Sequence, residues 1–520
     1  MRNESDGILA SAIAVLFTVP VLASPVCGAP AIEIGSRLEV FWDDFIVDTN
    51  LTTAVRQVHQ PEYVGEIFTF DRPWEGDGCG YHVIVPDRDG RGDYYRMYYR
   101  GMSLGMAAPE NTVFPKSEAR ICYAESRDGT RWTRPELGLR EFNGSKKNNI
   151  ILGPKEFGFA WDNAFFFKDA NPDCPADERY KGVAGHLEKD DDFGLWCLLS
   201  ADGIHWRKGR CLTKAGEFDS HNIAFWDPVK QEYQCYFRSH HMLDPADRHG
   251  NVHARDVRHM TSKDFRAWSE PRQLSYGAGV MDYALYTNAI MPYPRTPGLY
   301  VGFPTRYVMR KKEWTDTYDK LPGVENRRCR AKSNIRYGIA ITDCAFMVTR
   351  DGVSFHREED AFMDPGPENP LNWLYGDCYP FYGLITVPGR RPGSDPELAF
   401  HCAAGYWSGK AESMSRYVLR MDGFVSRHAP DSGAKLVTKP FVFAGGELTL
   451  NFRTSAYGRL FVTLREAKGG AAIHSHEIFG NKIDRVIGFM DGKVADFSGK
   501  PVVLEFEMND ADVYAFQFKE

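Results

Sequence analysis

The sequence lacks several signatures that would assign it to a common class of protein. It has no Cys-x-x-Cys pair and no Cys/His spacing typical of zinc, so a zinc-binding fold is not indicated. Basic residues are not in excess, because 63 Lys and Arg stand against 70 Asp and Glu, and a net charge of −7 disfavours binding to nucleic acid. From residue 35 onward no stretch keeps a 3.6-residue apolar period, which excludes a helical bundle. What remains, with 48 Gly and 30 Pro, is typical of a loop-rich β protein.

One long apolar run is present, Ile8–Ala23, and it ends in small residues. Its 16 residues are too few to span a bilayer comfortably, so we expect a secretory signal peptide over residues 1–29, cleaved near Ala23 or Ala29. The mature chain is then exported, to the periplasm or beyond, and has no membrane span. An uncleaved anchor or a misassigned start is the alternative, because the first residues carry more acidic than basic side chains.

Export makes disulfides possible for the eleven cysteines. Several of them, however, lie in strand-like runs where a buried thiol acts as a small apolar side chain: Cys122, Cys197, Cys235 and Cys344. We therefore expect at most one or two bridges.

A short phrase of the form Ser/Thr-x-Asp-Gly-x-x-aromatic recurs along the chain. It is centred on Asp128, Asp202 and Asp351, with a weaker copy at Asp264 and a degenerate one at Asp422, at intervals of 74, 62, 87 and 71 residues. A period near 75 residues fits a four-stranded propeller blade with generous loops. Asp-Gly is turn chemistry, so each copy is predicted to be a hairpin joining the outer strands of a blade.

The repeats and the strand-like runs before them predict an all-β protein in two parts. Residues 35–430 have room for a five-bladed β-propeller, and we expect Leu38–Asp48 to complete the last blade. Residues 431–520 hold four short alternating strands and are predicted to form a C-terminal β-sandwich.

Function is sought where the loops of all blades converge, at the axial end of the innermost strands. Five segments there place an aspartate just before an apolar strand: Asp77, Asp162, Asp219, Asp282 and Asp377. Repulsion between carboxylates at the mouth of one central channel would raise the pKa of some and leave that of others low. A protonated and an ionised carboxyl side by side suit acid/base chemistry on a glycosidic bond.

Neighbouring side chains could bind the sugar, because aromatic rings stack on it and polar groups contact its hydroxyls. The predicted substrate-binding residues are Trp74, Trp161, His221, Asp282, Tyr286, Asn288, Arg306, Trp373 and Asp377. No cofactor and no metal site is predicted, because the adjacent His240 and His241 point to opposite faces of a strand.

Each of these residues also has a purely structural interpretation. An Asp ahead of a strand commonly caps a turn, and Tyr or Trp commonly packs between blades. Arg306 could equally form an ion pair with a pocket Asp. The aspartates of the repeat itself, Asp128, Asp202, Asp264 and Asp351, are assigned to turn structure.

The repeats, the blade count and the Asp before each inner strand resemble the five-bladed β-propeller glycoside hydrolases, the superfamily around families 32, 43, 62, 68, 117 and 130. The runs at residues 70–75, 95–101 and 123–138 are similar to exported bacterial proteins labelled family-32-like, which carry a C-terminal sandwich. The resemblance implies a base Asp on the first blade, a supporting Asp on the second and an acid on the third. On matching positions these are Asp77, Asp162 and Asp219, with Glu217 as the competing acid.

The sequence departs from family 32, because the Trp-Met-Asn-Asp-Pro, Arg-Asp-Pro and Glu-Cys signatures are absent. The arginine triad and Tyr nucleophile of sialidases cannot be placed either.

The predicted function is an exported glycoside hydrolase that cleaves a plant or algal glycan through two carboxylates, with inversion expected from the resemblance. The alternative is a propeller that binds a glycan or a protein without cleaving it, and a phosphorylase or transferase shares the same fold. The predicted partner is a carbohydrate.

Overall fold

The structure, a computed structural model, describes residues 30–105, 116–161, 163–244, 246, 251–277, 279–310 and 316–520. The predicted signal peptide and the predicted catalytic residue Asp162 lie outside these ranges. The first strands along the chain are β1 (Ile32–Gly35), β2 (Glu39–Val40), β3 (Val55–Val58) and β4 (Glu62–Thr69). None of the described helices is long and apolar enough to cross a bilayer.

Four of the five blades are built from consecutive stretches of chain. Blade 1 contains β5 (Gly80–Asp89), β6 (Gly92–Gly101), β7 (Arg120–Ser126) and β8 (Ile150–Leu152). Blade 2 contains β9 (Phe165–Lys168), β10 (Tyr180–His186), β11 (Gly194–Ser200) and β12 (Arg207–Thr213). Blade 3 contains β13 (Ile223–Asp227), β14 (Glu232–Met242), β15 (His253–Ser262) and β16 (Arg272–Gln273). All pairings within these blades are antiparallel.

Blade 4 carries an insertion. Its sheet contains β17 (Met291–Pro292), β18 (Tyr300–Gly302), β21 (Met347–Thr349) and β22 (His356–Arg357). Between its second and third strands the chain forms a separate hairpin of β19 (Thr305–Met309) and β20 (Ala340–Cys344). Two helices, α1 (Val324–Ser333) and α2 (Ile335–Ile339), lie between the strands of that hairpin.

Blade 5 closes the ring with a strand from far away in the sequence. It contains β23 (Ile385–Val387), β24 (Glu397–Ala404) and β25 (Ser413–Arg420), and its outer strand is β4, which pairs with β25. The expectation that Leu38–Asp48 closes the ring is wrong, because β2, within that segment, pairs with the C-terminal sheet. The five-bladed propeller itself is confirmed.

The C-terminal sheet has ten strands. They are β1, β2 and β3 with β26 (Val425–Ala429), β27 (Ala434–Val437), β28 (Phe441–Phe443), β29 (Glu447–Glu466), β30 (Ala472–His474), β31 (Asn481–Val486) and β32 (Val502–Lys519). The four predicted short strands are two long ones, β29 and β32, which pair along their length with register shifts at Asn451/Phe452 and Thr454/Arg459. The sheet therefore includes residues 32–58, which the sequence-based boundaries place partly in the propeller.

The first four copies of the repeated phrase, including the weaker one at Asp264, form the expected turns between the third and fourth strands of blades 1 to 4. In blade 1, Oδ1 of Asp128 accepts the backbone N–H groups of Thr130 and Arg131 at 2.8 Å, and Gly129 has φ 66°. The same paired acceptance recurs at Asp202, Asp264 and Asp351. The turn role assigned to these four aspartates is confirmed.

The fifth copy of the phrase does not join strands of a blade, because the fourth strand of blade 5 is β4. Asp422 instead accepts hydrogen bonds from the Tyr293 hydroxyl at 2.5 Å and from Nε of Arg295 at 2.8 Å. Its other oxygen accepts from the Asn451 side chain on β29. Asp422 thus links blade 4 to the C-terminal sheet.

A second repeated contact joins neighbouring blades. Asp87 on β5 accepts the Tyr180 hydroxyl of blade 2 at 2.6 Å, and Asp169, just after β9, accepts the Tyr233 hydroxyl of blade 3 at 2.7 Å. Asp227 at the end of β13 likewise accepts a hydrogen bond from the hydroxyl of Tyr300, the first residue of β18 in blade 4. We call these contacts the Asp–Tyr latches. They place a buried charge-assisted hydrogen bond at three successive blade interfaces.

Ten cysteines lie in the described residues, and all ten are free; nine of them are buried. Their burial agrees with the role expected for thiols in strand patterns.

Candidate active site

The strand order brings many loops to one face of the propeller. The first strand of a blade begins on that face and the second returns to it, so the loops before first strands and those between second and third strands converge there. We call this the axial face. It contains a cavity of about 660 Å³, within the range of small-molecule sites.

Aromatic side chains form much of the cavity lining. They are Tyr81, Tyr286, Tyr337, Tyr375, Tyr406 and Trp407, from blade 1, from the segment before blade 4, from α2 and from the loops of blade 5. We call this site the aromatic cavity. The Tyr375 hydroxyl donates to the Tyr286 hydroxyl at 2.7 Å, and the Tyr337 and Trp407 rings meet edge to face at 4.7 Å. Rings arranged in this way suit stacking against a sugar.

The charged groups of the lining are mostly basic. Arg100, Lys116 and Lys155 contribute to it, and Nε of Arg100 donates to the Gly78 carbonyl at 2.9 Å. Among the described lining residues Glu118 is the one carboxylate, and it lies 2.8 Å from Lys155 in an ion pair on the surface. An acid/base pair must therefore come from carboxylates beside the lining or from residues outside the described ranges.

Asp77 is buried behind the cavity and bound on both oxygens. Oδ1 accepts the backbone N–H of Leu104 at 2.9 Å and the Ser103 hydroxyl at 3.2 Å, and Oδ2 accepts the backbone N–H of Gly409 at 2.9 Å. Its carbonyl accepts the backbone N–H of Trp407 at 2.5 Å. These contacts fix two cavity loops, one from blade 1 and one from blade 5.

Asp219 is the most accessible predicted catalytic residue in the described chain. Its side chain is 53% exposed, and Oδ1 accepts from Nη1 of Arg238 at 2.9 Å. The same guanidinium also donates to the carbonyl of Tyr286, whose ring lines the aromatic cavity. The competing acid, Glu217, is exposed and lies 3.3 Å from Lys189.

Asp282 forms a pair with His241. Its Oδ2 lies 2.5 Å from Nε2 of His241, and Oδ2 of Asp256 lies 3.5 Å from the other ring nitrogen. These two carboxylates raise the pKa of His241 to about 9, so the imidazole is charged at neutral pH. The pKa of Asp282 is lowered by His241 despite partial burial. The group is an ion-pair cluster on blade 3.

Asp377 is a buried carboxyl with a raised pKa. Burial raises its pKa to about 7, although the backbone N–H of Leu374 and the nearby Arg330 favour the charged form. Oδ2 accepts that N–H at 2.7 Å. A carboxyl that is half protonated at neutral pH can donate a proton.

Each of the three predicted tryptophans donates a hydrogen bond from its indole N–H, Trp161 and Trp373 within their own loops and Trp74 to a residue just before β8. The Trp74 indole donates to the Asn149 side chain at 2.7 Å. Trp161 donates to the Gly153 carbonyl at 2.7 Å, and Trp373 donates to the Gly366 carbonyl at 2.8 Å. Trp161 is 1% exposed and packs in the core with Phe159. These contacts are those of structural side chains, and none of the three lines the cavity.

The remaining predicted residues are also internal. His221 is buried between aromatic rings, which lowers its pKa to about 3 and keeps it neutral. The Asn288 side chain donates to the His221 carbonyl at 3.1 Å. Arg306 forms a two-pronged ion pair, both contacts at 2.6 Å, but its partner is Asp343 and not one of the five predicted pocket aspartates. Of the predicted site residues that the structure describes, Tyr286 lines the cavity.

Sequence reasoning missed most of the lining and one buried acid. Arg100, Tyr406 and Trp407 lie at or just after the ends of second strands, whereas the five predicted segments precede first strands. Glu412 is fully buried with neither oxygen hydrogen-bonded, and its Oε1 lies 3.8 Å from Nε2 of His82. Burial raises the pKa of Glu412 well above its usual range.

One group of side chains could approach a metal ion. His186, Glu188 and Asp190 offer ligand atoms within 4.8 Å of one another, close to the cavity residue Leu187. His186 already hydrogen-bonds to Asp190 at 3.0 Å, and both acids are exposed.

No family model and no curated protein matches the chain. Solved structures with some likeness include an N-acetylgalactosamine deacetylase from F. plautii, 12% identical over 71% of this chain and 96% of that one, with a TM-score of 0.40. A family-32 β-fructofuranosidase from Bombyx mori is 11% identical over 88% and 94%, with a TM-score of 0.36. An α-L-arabinofuranosidase from Fusarium graminearum is 12% identical over 70% and 98%, with a TM-score of 0.35. At such scores the likeness says nothing about chemistry.

Proposed function

We propose that this chain is an exported glycoside hydrolase that binds a glycan in the aromatic cavity and cleaves a glycosidic bond there. The observation that carries the proposal is the cavity itself, with six aromatic side chains and Arg100 converging on the axial face. Such rings bind the apolar faces of sugars, and the arginine suits hydroxyl or carboxylate groups. Export rests on the apolar run at residues 8–23.

The carboxylates have different proposed roles. Asp219 is accessible and its Arg238 partner reaches Tyr286 of the cavity, so it is the stronger candidate for acid or base. Asp162, which comes shortly before β9 in the sequence, is the proposed second carboxylate from sequence alone. Asp77 is proposed to position the loops, because four hydrogen bonds already use its carboxylate and carbonyl. Asp377 is a further proton donor to consider, since its pKa is about 7.

In the proposed reaction one carboxylic acid protonates the glycosidic oxygen as the bond to the anomeric carbon breaks. The other carboxylate removes a proton from the water that attacks that carbon. This route inverts the configuration, which is the outcome expected from the resemblance. Substrates are proposed to be plant or algal polysaccharides or oligosaccharides.

A binding protein without turnover is the second candidate, and one observation favours it. Among the described lining residues the single carboxylate, Glu118, is engaged by Lys155, so the cavity wall shows recognition groups more clearly than catalytic ones. In that case the cavity would hold a glycan through stacking and hydrogen bonds alone.

The test is release of reducing ends from a panel of plant and algal polysaccharides. The wild type is compared with Asp219→Asn, Asp162→Asn and the matched control Asp191→Asn, an exposed acid in a loop of the same face. Loss of an acid or base should lower kcat about 100-fold or more, whereas the control should keep full activity.

Binding is measured on the same panel by affinity electrophoresis. If the wild type binds a polysaccharide and Tyr406→Ala weakens that binding, but no variant or wild type releases sugar, the binding function replaces the hydrolase. If the wild type neither binds nor cleaves any member of the panel, the assignment of the cavity to glycans is wrong.

A further inference from the structure

The helical insertion of blade 4 reaches the aromatic cavity through a polar helix. Helix α1 has the sequence Val-Glu-Asn-Arg-Arg-Cys-Arg-Ala-Lys-Ser and buries Asn326, Arg327, Cys329 and Arg330. A helix without a broad apolar face gains its stability from specific contacts instead of from a general hydrophobic stripe. The buried polar residues therefore indicate what α1 is bound to.

Arg330 is fully buried and donates only to backbone carbonyls in its hydrogen bonds. Nη1 donates to Tyr375 at 2.6 Å, and Nη2 donates to Tyr406 at 2.6 Å and to Trp407 at 3.0 Å. Nε also donates to Trp407, at 3.2 Å. Every acceptor belongs to a residue whose side chain lines the cavity.

Two neighbours on α1 extend the same set of contacts. The Asn326 side chain donates to the Trp407 carbonyl at 3.3 Å, and the Arg327 guanidinium donates to the Trp373 carbonyl. Residues 373–375 precede the first strand of blade 5, and residues 406–407 lie between its second and third strands, so one helix bridges two separate loops. The second of them is also held from blade 1 by Asp77.

We propose that Arg330 is a positioning residue that fixes the blade 5 wall of the aromatic cavity, and that α1 is the element that holds Arg330 against that wall. A guanidinium has five donors in a rigid fork, so one side chain satisfies the Tyr375 and Tyr406 carbonyls in the interior and shares the Trp407 carbonyl with Asn326. A buried arginine whose hydrogen bonds go to carbonyls alone is expensive to bury, and it is tolerated where the geometry is fully satisfied. The proposal stands whether the cavity cleaves its glycan or only binds it.

Hydrogen exchange measured by mass spectrometry on the full chain tests this without a ligand. In Arg330→Ala the amides of residues 405–410 should exchange about tenfold faster or more, because a loss of 1.4 kcal/mol of local stability gives that factor. Arg328→Ala is the matched control, since Arg328 lies on the same helix, is 58% exposed and contacts Glu325 and Asp319. In Arg328→Ala the amides of residues 405–410 should exchange at the wild-type rate. The amides of β32 should exchange at the wild-type rate in both variants.

Chemical rescue separates positioning from general destabilisation. Millimolar guanidinium should restore protection at residues 405–410 in Arg330→Ala, because it refills the fork-shaped site, and methylammonium should not. If Arg330→Ala does not fold, Arg330→Lys decides, with an intermediate loss of protection expected in the same segment. Wild-type protection there in the folded variant, or faster exchange spread equally through β32, overturns the proposal.

Discussion

Replacing Asp87 by Asn should weaken the interface between blades 1 and 2. The same substitution at the other acid of β5, Asp89, should weaken it less. Asp87 is buried and accepts hydrogen bonds from Nε of Arg96 at 2.5 Å, Nζ of Lys168 at 2.5 Å and the hydroxyls of Tyr180 and Tyr94 at 2.6 and 3.1 Å. Asn keeps the shape but removes the charge that two cations face. Breaking a buried pair costs about 3 to 5 kcal/mol, and we expect the lower end, about 3 kcal/mol, because Lys168 is one-third exposed.

The pH dependence gives this prediction its sign. Hydrogen bonds and cations hold the pKa of Asp87 well below its usual range despite burial, so its stabilisation is present above about pH 4 and is lost as the pH falls. The difference in unfolding free energy between wild type and Asp87→Asn, measured by urea titration, should therefore be largest near pH 7 and shrink below pH 4. Asp89→Asn, two residues along the strand and paired with Arg127, is the control and should leave stability unchanged. A difference that stays constant with pH refutes the electrostatic account of the latch.

Three further predictions concern stability. Glu412→Gln should gain stability relative to wild type in thermal melts as the pH rises above about 4.3, because the carboxyl ionises in the unfolded chain while burial raises its pKa in the native protein; parallel profiles for the two proteins would contradict this. Arg306→Met should lower the free energy of unfolding in urea by about 2 kcal/mol, because the ion pair with Asp343 is lost, and should leave glycan binding unchanged. Weaker glycan binding would show that Arg306 belongs to the binding site. Gly203→Ala should lower stability by about 2 kcal/mol or more, because its Cβ would lie 2.6 Å from a tyrosine hydroxyl, whereas Gly138→Ala, with similar φ and open space, should cost about 1 kcal/mol. Equal losses at both glycines would mean that the backbone angle alone decides.

The parts of the fold set by local chemistry could be predicted from sequence. Asp-Gly turns such as that at Asp128 depend on contacts within a few residues, so their recurrence predicts the blades correctly. The closing strand could not be identified in the same way. β4 has an irregular pattern of burial and pairs with β25 across most of the chain, and no local signal marks that partner.

The candidate site was harder to predict, because a side chain's sequence neighbours do not reveal which way it faces. Trp161 is predicted to stack on a sugar and Asp77 to act as the catalytic base, yet Trp161 packs in the core and Asp77 accepts hydrogen bonds from loop amides. Trp407 and Tyr406 reach the cavity because Arg330 and Asp77 hold their loop from two sides. That arrangement depends on three separate parts of the chain. It leaves no motif in any of them.

The pairing of β4 with β25 has a consequence for biosynthesis. During synthesis, residues 62–69 have no strand partner until residues 413–420 have been added. The partners of β1, β2 and β3 are made later still, because they are β28, β32 and β26 respectively. Contacts so distant in sequence form slowly, and an unpaired strand edge invites aggregation in the meantime. Premature termination anywhere before residue 413 would therefore leave both the ring and the C-terminal sheet open at once.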